Sequence, residues 1–159
     1  MKKIIYILLL LIVPFSFLSG CSLFGESKKY YDMNQSFTYN DVEFKITNLR
    51  EGQSFTTTTG STETTENYFI FIDIWMKNNG KNAFDVRTST FSIVIKETEQ
   101  VISYYPGYTY LYPNNIVRAE LNPTFSGSYS IVFEVSQPTS SCNYQLRVGE
   151  NIFVNLNAN

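Results

Sequence analysis

Two cysteines, fourteen carboxylates and twelve tyrosines are the side chains with which this 159-residue chain could do chemistry, and histidine is absent. That absence removes the commonest general base and the commonest transition-metal ligand. A Ser-His-Asp or Cys-His arrangement is impossible, as is a zinc cluster built on cysteine and histidine. Glu97 with Glu99 and Glu63 with Glu66 could be paired carboxylates, but both pairs lie in polar, turn-like sequence where solvated charge is the expectation. No catalytic residue, metal or cofactor is expected, so an enzyme is not the expected class.

Cys21 is the thiol whose surroundings are informative. It ends the run "MKKIIYILLLLIVPFSFLSGC", in which two lysines precede an uncharged apolar stretch from Ile4 to Leu18 and then small residues. This is the plan of a secretory signal. The apolar stretch is shorter than the roughly 18 to 20 residues a spanning helix needs, and Pro14 weakens it further. Leu18-Ser19-Gly20 before Cys21 resembles the bacterial lipobox, in which the cysteine sulfur takes a diacylglyceryl group before the signal is removed. The reaction needs a thiol nucleophile and small residues ahead of it for the peptidase. The expectation is a signal peptide at 1–20, a mature chain starting at lipidated Cys21, and a membrane anchor on the extracytoplasmic face. Two acyl chains supply the double signal that stable anchoring requires.

Without residues 1–20 the chain keeps 139 residues, enough for one domain burying about 68 to 70% of its unfolded surface. Ten basic residues then face fourteen acidic ones, a net charge of −4, which leaves no basic footprint for nucleic acid. Cys142 is then the remaining thiol. It reads as a buried small hydrophobe, with an exposed reactive thiol as the alternative.

The tyrosines gather in "SYYPGYTYLYP". In an extended backbone Tyr108, Tyr110 and Tyr112 share one face, and Pro106-Gly107 would turn Tyr104 and Tyr105 toward it. Such rings either pack a sheet or form an exposed contact surface for sugar or protein.

The elements that must position these groups read as strands. Residues 21–35 look like a tether, and the domain is expected over 36–157. "VEFKITNL" alternates Val42, Phe44 and Ile46 with polar residues after the Asn40-Asp41 turn. "TTTTGSTETTE", 56–66, reads as a mobile surface loop. "NYFIFIDIWMK" is apolar on both faces except Asp73, which marks a central strand ended by Asn78-Asn79-Gly80-Lys81. "FSIVIKE", "GSYSIVFEV", "NYQLRV" and "NIFVNL" follow, separated by turn signals. Together they predict an all-β sandwich of about seven to eight strands.

Lys77-Asn78-Asn79-Gly80, Phe91, Leu121-Asn122-Pro123, Gly127 and Phe133-Glu134-Val135 together resemble the signature of the domain-of-unknown-function family 4352. The resemblance covers about 36–157 and implies an immunoglobulin-like β-sandwich of bacterial lipoproteins and secreted proteins, with no catalytic residues to carry over. Thr124 stands where the signature has glycine, so a different turn geometry is expected there. Residues 101–117 match nothing specific in the family. The expected function is a lipid-anchored, non-catalytic cell-surface binding module whose partner is cell-wall polymer or an envelope protein. The alternative is an accessory lipoprotein of a membrane complex such as a transporter or sensor, with no ligand of its own.

Overall fold

The chain is described by a computed structural model covering residues 27–56, 60–85, 90–103 and 120–157. Among these residues eleven strands form: β1 (Lys29–Asp32), β2 (Ser36–Tyr39), β3 (Val42–Thr56), β4 (Thr62–Asn78), β5 (Phe84–Asp85), β6 (Phe91–Ile95), β7 (Val101–Ser103), β8 (Glu120–Leu121), β9 (Ser126–Val135), β10 (Tyr144–Val148) and β11 (Ile152–Asn155). A five-stranded sheet runs β1, β11, β10, β6, β7, and a four-stranded sheet runs β2, β3, β4, β9. A two-stranded ribbon pairs β5 with β8. The architecture is the expected all-β sandwich, with eleven strands in place of seven to eight because several are only two to four residues long.

Alternation explains the packing, since successive side chains of a strand point to opposite faces. Ile70, Ile72, Ile74 and Met76 of β4 pack inward against Ile93, Leu146 and Val154 of the other sheet. Each fully buried side chain of this size contributes about 1.5 to 3 kcal/mol.

A one-residue bulge at Thr47 resets the alternation of β3. Ile46 pairs with Ile74, but the next partner of Asp73 is Asn48. The inward set therefore passes from Val42, Phe44 and Ile46 to Leu49, while Asn48 and Arg50 turn outward. Outside, Asp73 accepts hydrogen bonds from Ser130 Oγ (2.5 Å), Arg50 (3.0 Å) and Asn48 Nδ2 (3.1 Å). Burial alone would raise the Asp73 pKa, but these donors hold it below the ordinary aspartate value.

Tyr144 fixes the crossing from one sheet to the other. Its hydroxyl donates to the Gln137 carbonyl at 2.8 Å, a tyrosine corner of the kind found in immunoglobulin-like sandwiches. Burial, with Cys142 alongside, pushes its pKa up to about 12, so the hydroxyl remains a donor at physiological pH.

Three expectations need correction. The segment 21–35, expected to be a tether, carries β1, which pairs in parallel with β11 from Lys29↔Ile152 to Asp32↔Asn155. Its sequence, "KYYD", is too short and too polar to announce a strand. The described ends of the threonine segment 56–66 are paired strand: Thr56 pairs with Thr62, Phe55 with Glu63 and Ser54 with Thr64. Threonine is β-branched and suits exposed strands, so polarity there marks exposure of a paired ribbon. Finally, Thr124 keeps a glycine-like backbone, with φ at +70°.

Candidate functional site

The outer face of the five-stranded sheet carries two rows of side chains. Strand register places Tyr30, Phe153, Arg147, Ser92 and Ser103 in one row, and Asp32, Asn155, Gln145, Val94 and Val101 in the other. Between them lies an open groove of about 560 Å³, rimmed by Lys28, Lys96, Glu99 and Glu150. That volume lies within the range of about 300 to 1,000 Å³ typical of ligand sites.

The groove has an aromatic end and a polar floor. Tyr30 and Phe153 stack with ring centroids 5.5 Å apart, and Lys28 sits 5.5 Å from the Phe153 ring centre. Tyr30 is 58% exposed, so much of its ring faces solvent. Arg147 Nε donates to Ser92 Oγ at 2.9 Å, which fixes the guanidinium across the floor. Gln145 Nε2 donates to Asn155 Oδ1 at 2.8 Å, and Asn155 Nδ2 donates to Asp32 Oδ1 at 2.9 Å. Hydrogen bonds thus hold the floor in one arrangement before any ligand arrives.

A second cavity, of about 570 Å³, lies at one end of the sandwich beside Met33, Leu49 and Asn157. Asn157 is committed there to structure. Its Nδ2 lies within hydrogen-bonding distance of Thr139 O, Cys142 O and Asn143 Oδ1, and its Oδ1 accepts from the Tyr144 N–H. The groove on the sheet face is therefore the better candidate.

Cys21 and the tyrosines Tyr104, Tyr105, Tyr108, Tyr110 and Tyr112 lie outside the described residues. Cys142 is buried, with its thiol 3.9 Å from Glu97 Oε2. Glu97 also accepts from Asn143 Nδ2 at 2.5 Å, and that bond is the leading reason its pKa is held below the ordinary glutamate value. Among the described residues no three metal-ligating side chains come together. The groove escaped notice because its members are scattered from residue 28 to residue 155 and only strand register collects them. The available signal was an amide at an outward position of each of two apolar strands, Gln145 in "YQLRV" and Asn155 in "IFVNL".

Comparison with known proteins agrees with this architecture. The sequence model of the family described as "Domain of unknown function (DUF4352)" matches residues 31–157. A conserved hypothetical protein from Bacillus anthracis has a similar fold, with a TM-score of 0.64 at 12% identity over 84% of this chain and 100% of that one. An uncharacterized beta-sandwich protein from Clostridium difficile 630 gives 0.54 at 15% identity over 84% and 99%. The yjhA protein from Bacillus subtilis gives 0.53 at 12% identity over 73% and 78%. At these identities the likeness is one of fold. No curated protein matches.

Proposed function

The chain belongs to the DUF4352 family, and from that footing we propose that it is a lipid-anchored, non-catalytic binding module on the extracytoplasmic face of a bacterial membrane. The observation that carries this reading is the preformed groove on the outer face of the five-stranded sheet. A rigid sandwich presenting prearranged polar groups beside an exposed ring has the make-up of a recognition surface. The lipobox-like "LSGC" supports the anchor. Seven residues lie between Cys21 and Lys29, where β1 begins, so the tether reaches at most about 30 Å. The groove, whose rim includes Lys28 and Tyr30, would thus stay close to the membrane surface, within reach of envelope polymer.

An accessory role in a membrane complex is the second reading, favoured by Phe125, which is 62% exposed at the turn before β9. Metabolic labelling with a clickable fatty acid and capture from detergent-solubilised membranes test both. Label on the wild type, none on Cys21→Ala, and retention on envelope polymer are expected of the module. One stoichiometric membrane protein, with no retention on polymer, would favour the accessory role. Label persisting on Cys21→Ala would remove the anchor.

A further inference from the structure

We propose that the groove takes the face of a neutral sugar unit, with Gln145, Arg147 and Tyr30 as its principal contacts; this deepens the binding-module reading and rests on it. The starting point is the orientation of three polar side chains. A carboxylate, as on Asp32, only accepts hydrogen bonds, so Asn155 must turn Nδ2 toward it and Oδ1 toward Gln145. Gln145 must then turn Nε2 toward Asn155, at 2.8 Å. The carbonyl oxygen Oε1 of Gln145 is left over, and among the described residues it accepts no hydrogen bond. Gln145 is only 6% exposed and lines the groove. A buried polar atom without a partner is costly, which makes this oxygen a place for a ligand donor.

Arg147 projects from the same strand two residues on, hence from the same face, and among the described residues only its Nε is engaged, by Ser92. The floor thus offers an acceptor beside donors. A hydroxyl group both donates and accepts, so neighbouring hydroxyls of a sugar ring fit this pair. A phosphate or carboxylate only accepts and would face the Gln145 oxygen. Charge points the same way, since Lys28, Lys96 and Arg147 are offset by Glu99, Glu150 and, behind Asn155, Asp32. Tyr30 supplies the third element: the electron-rich face of its exposed ring suits the C–H face of a sugar. A peptide also brings donors and acceptors, but it docks on a sheet most readily along an edge strand, and this groove lies on a face.

The test is retention of the full chain, purified in detergent, on three insoluble probes. These are wall glycan stripped of both peptide stems and anionic polymers, the same glycan with its stems, and wall with its anionic polymers kept. Wild type is expected on all three. Tyr30→Ala and Gln145→Met should each weaken retention on the stripped glycan about tenfold, while Phe125→Ser leaves it unchanged and Tyr30→Ala, whose melting temperature drops only a few degrees with the lost Phe153 stack, is still folded at the temperature of the assay. Retention unchanged in both groove variants would overturn the groove as the site and leave the module reading standing. Retention only with peptide stems would make the occupant a peptide, and retention only with anionic polymers would make it an anion; either overturns the sugar proposal. Retention on none of the probes would overturn the sugar proposal and the polymer-binding reading together.

Discussion

Thr124 donates its backbone N–H to the Asn78 carbonyl at 2.9 Å while its φ stands at +70°. Asn78 N–H donates in return to the Phe125 carbonyl at 2.9 Å. The turn after β4 and the turn before β9 are thereby tied together, which gives a physical reason for two turn motifs so far apart in sequence. The left-handed backbone costs a β-branched residue about 1 to 2 kcal/mol, and glycine would adopt it freely at some cost in chain entropy. Thr124→Gly should therefore stabilise the fold by about 0.5 to 1 kcal/mol, read as a higher urea midpoint at unchanged slope. A lower midpoint would show that the threonine side chain contributes more than the backbone strain removes.

The Asn78 side chain carries more than its backbone does. It is 1% exposed; its Nδ2 donates to Leu121 O (2.7 Å) and Asn82 O (2.8 Å), and its Oδ1 accepts from Gly80 N–H (2.8 Å). Asn78→Ala strands buried backbone groups and should cost about 2 to 4 kcal/mol. Asn79→Ala, at an exposed neighbour, serves as the control. Equal costs for the two would mean that the side-chain bonds are incidental.

Gly149, in the turn between β10 and β11, holds φ at +61°, and a Cβ there would fall 2.4 Å from the Tyr39 ring. Gly149→Ala should lose about 1 to 3 kcal/mol through strain and collision. In a Tyr39→Ala background the collision disappears and only the backbone strain remains, so the double-mutant cycle should show coupling. Additive costs would mean that the ring simply swings aside.

Asp73 gives the pH dependence its sign. Its folded-state pKa is lowered, so the unfolded chain takes up the proton more readily. The stabilisation is complete above the ordinary aspartate range, near pH 4, and is lost as pH falls through the lower folded value. Wild type should therefore lose stability relative to Asp73→Asn on acidification below about pH 4. Parallel urea curves from pH 6 to pH 2.5 would contradict the assignment.

Much of the fold was legible because burial on one face leaves a period of two, as in Val42, Phe44 and Ile46 or Tyr129, Ile131, Phe133 and Val135. Where alternation failed, the sequence was mute. The bulge at Thr47 shows only as an odd step from Ile46 to Leu49. β1 is anchored by pairing with β11, more than a hundred residues away, and nothing in "KYYD" reports a distant partner. The candidate groove was hidden for the same reason, since Tyr30, Gln145 and Phe153 meet only through register between strands. The absence of histidine, by contrast, narrowed the range of chemistry from composition alone.

Oxidative footprinting of the full chain with and without the stripped wall glycan decides whether the groove is where the glycan sits, because it reads the solvent exposure of individual aromatic side chains. Tyr30 and Phe125 start from similar exposure, 58% and 62%, at different places on the sandwich. The glycan should protect Tyr30 several-fold while Phe125 and Trp75, on β4 of the other sheet, oxidise as before. Protection of Phe125 or Trp75 with Tyr30 unchanged would contradict that placement and move recognition off the five-stranded sheet.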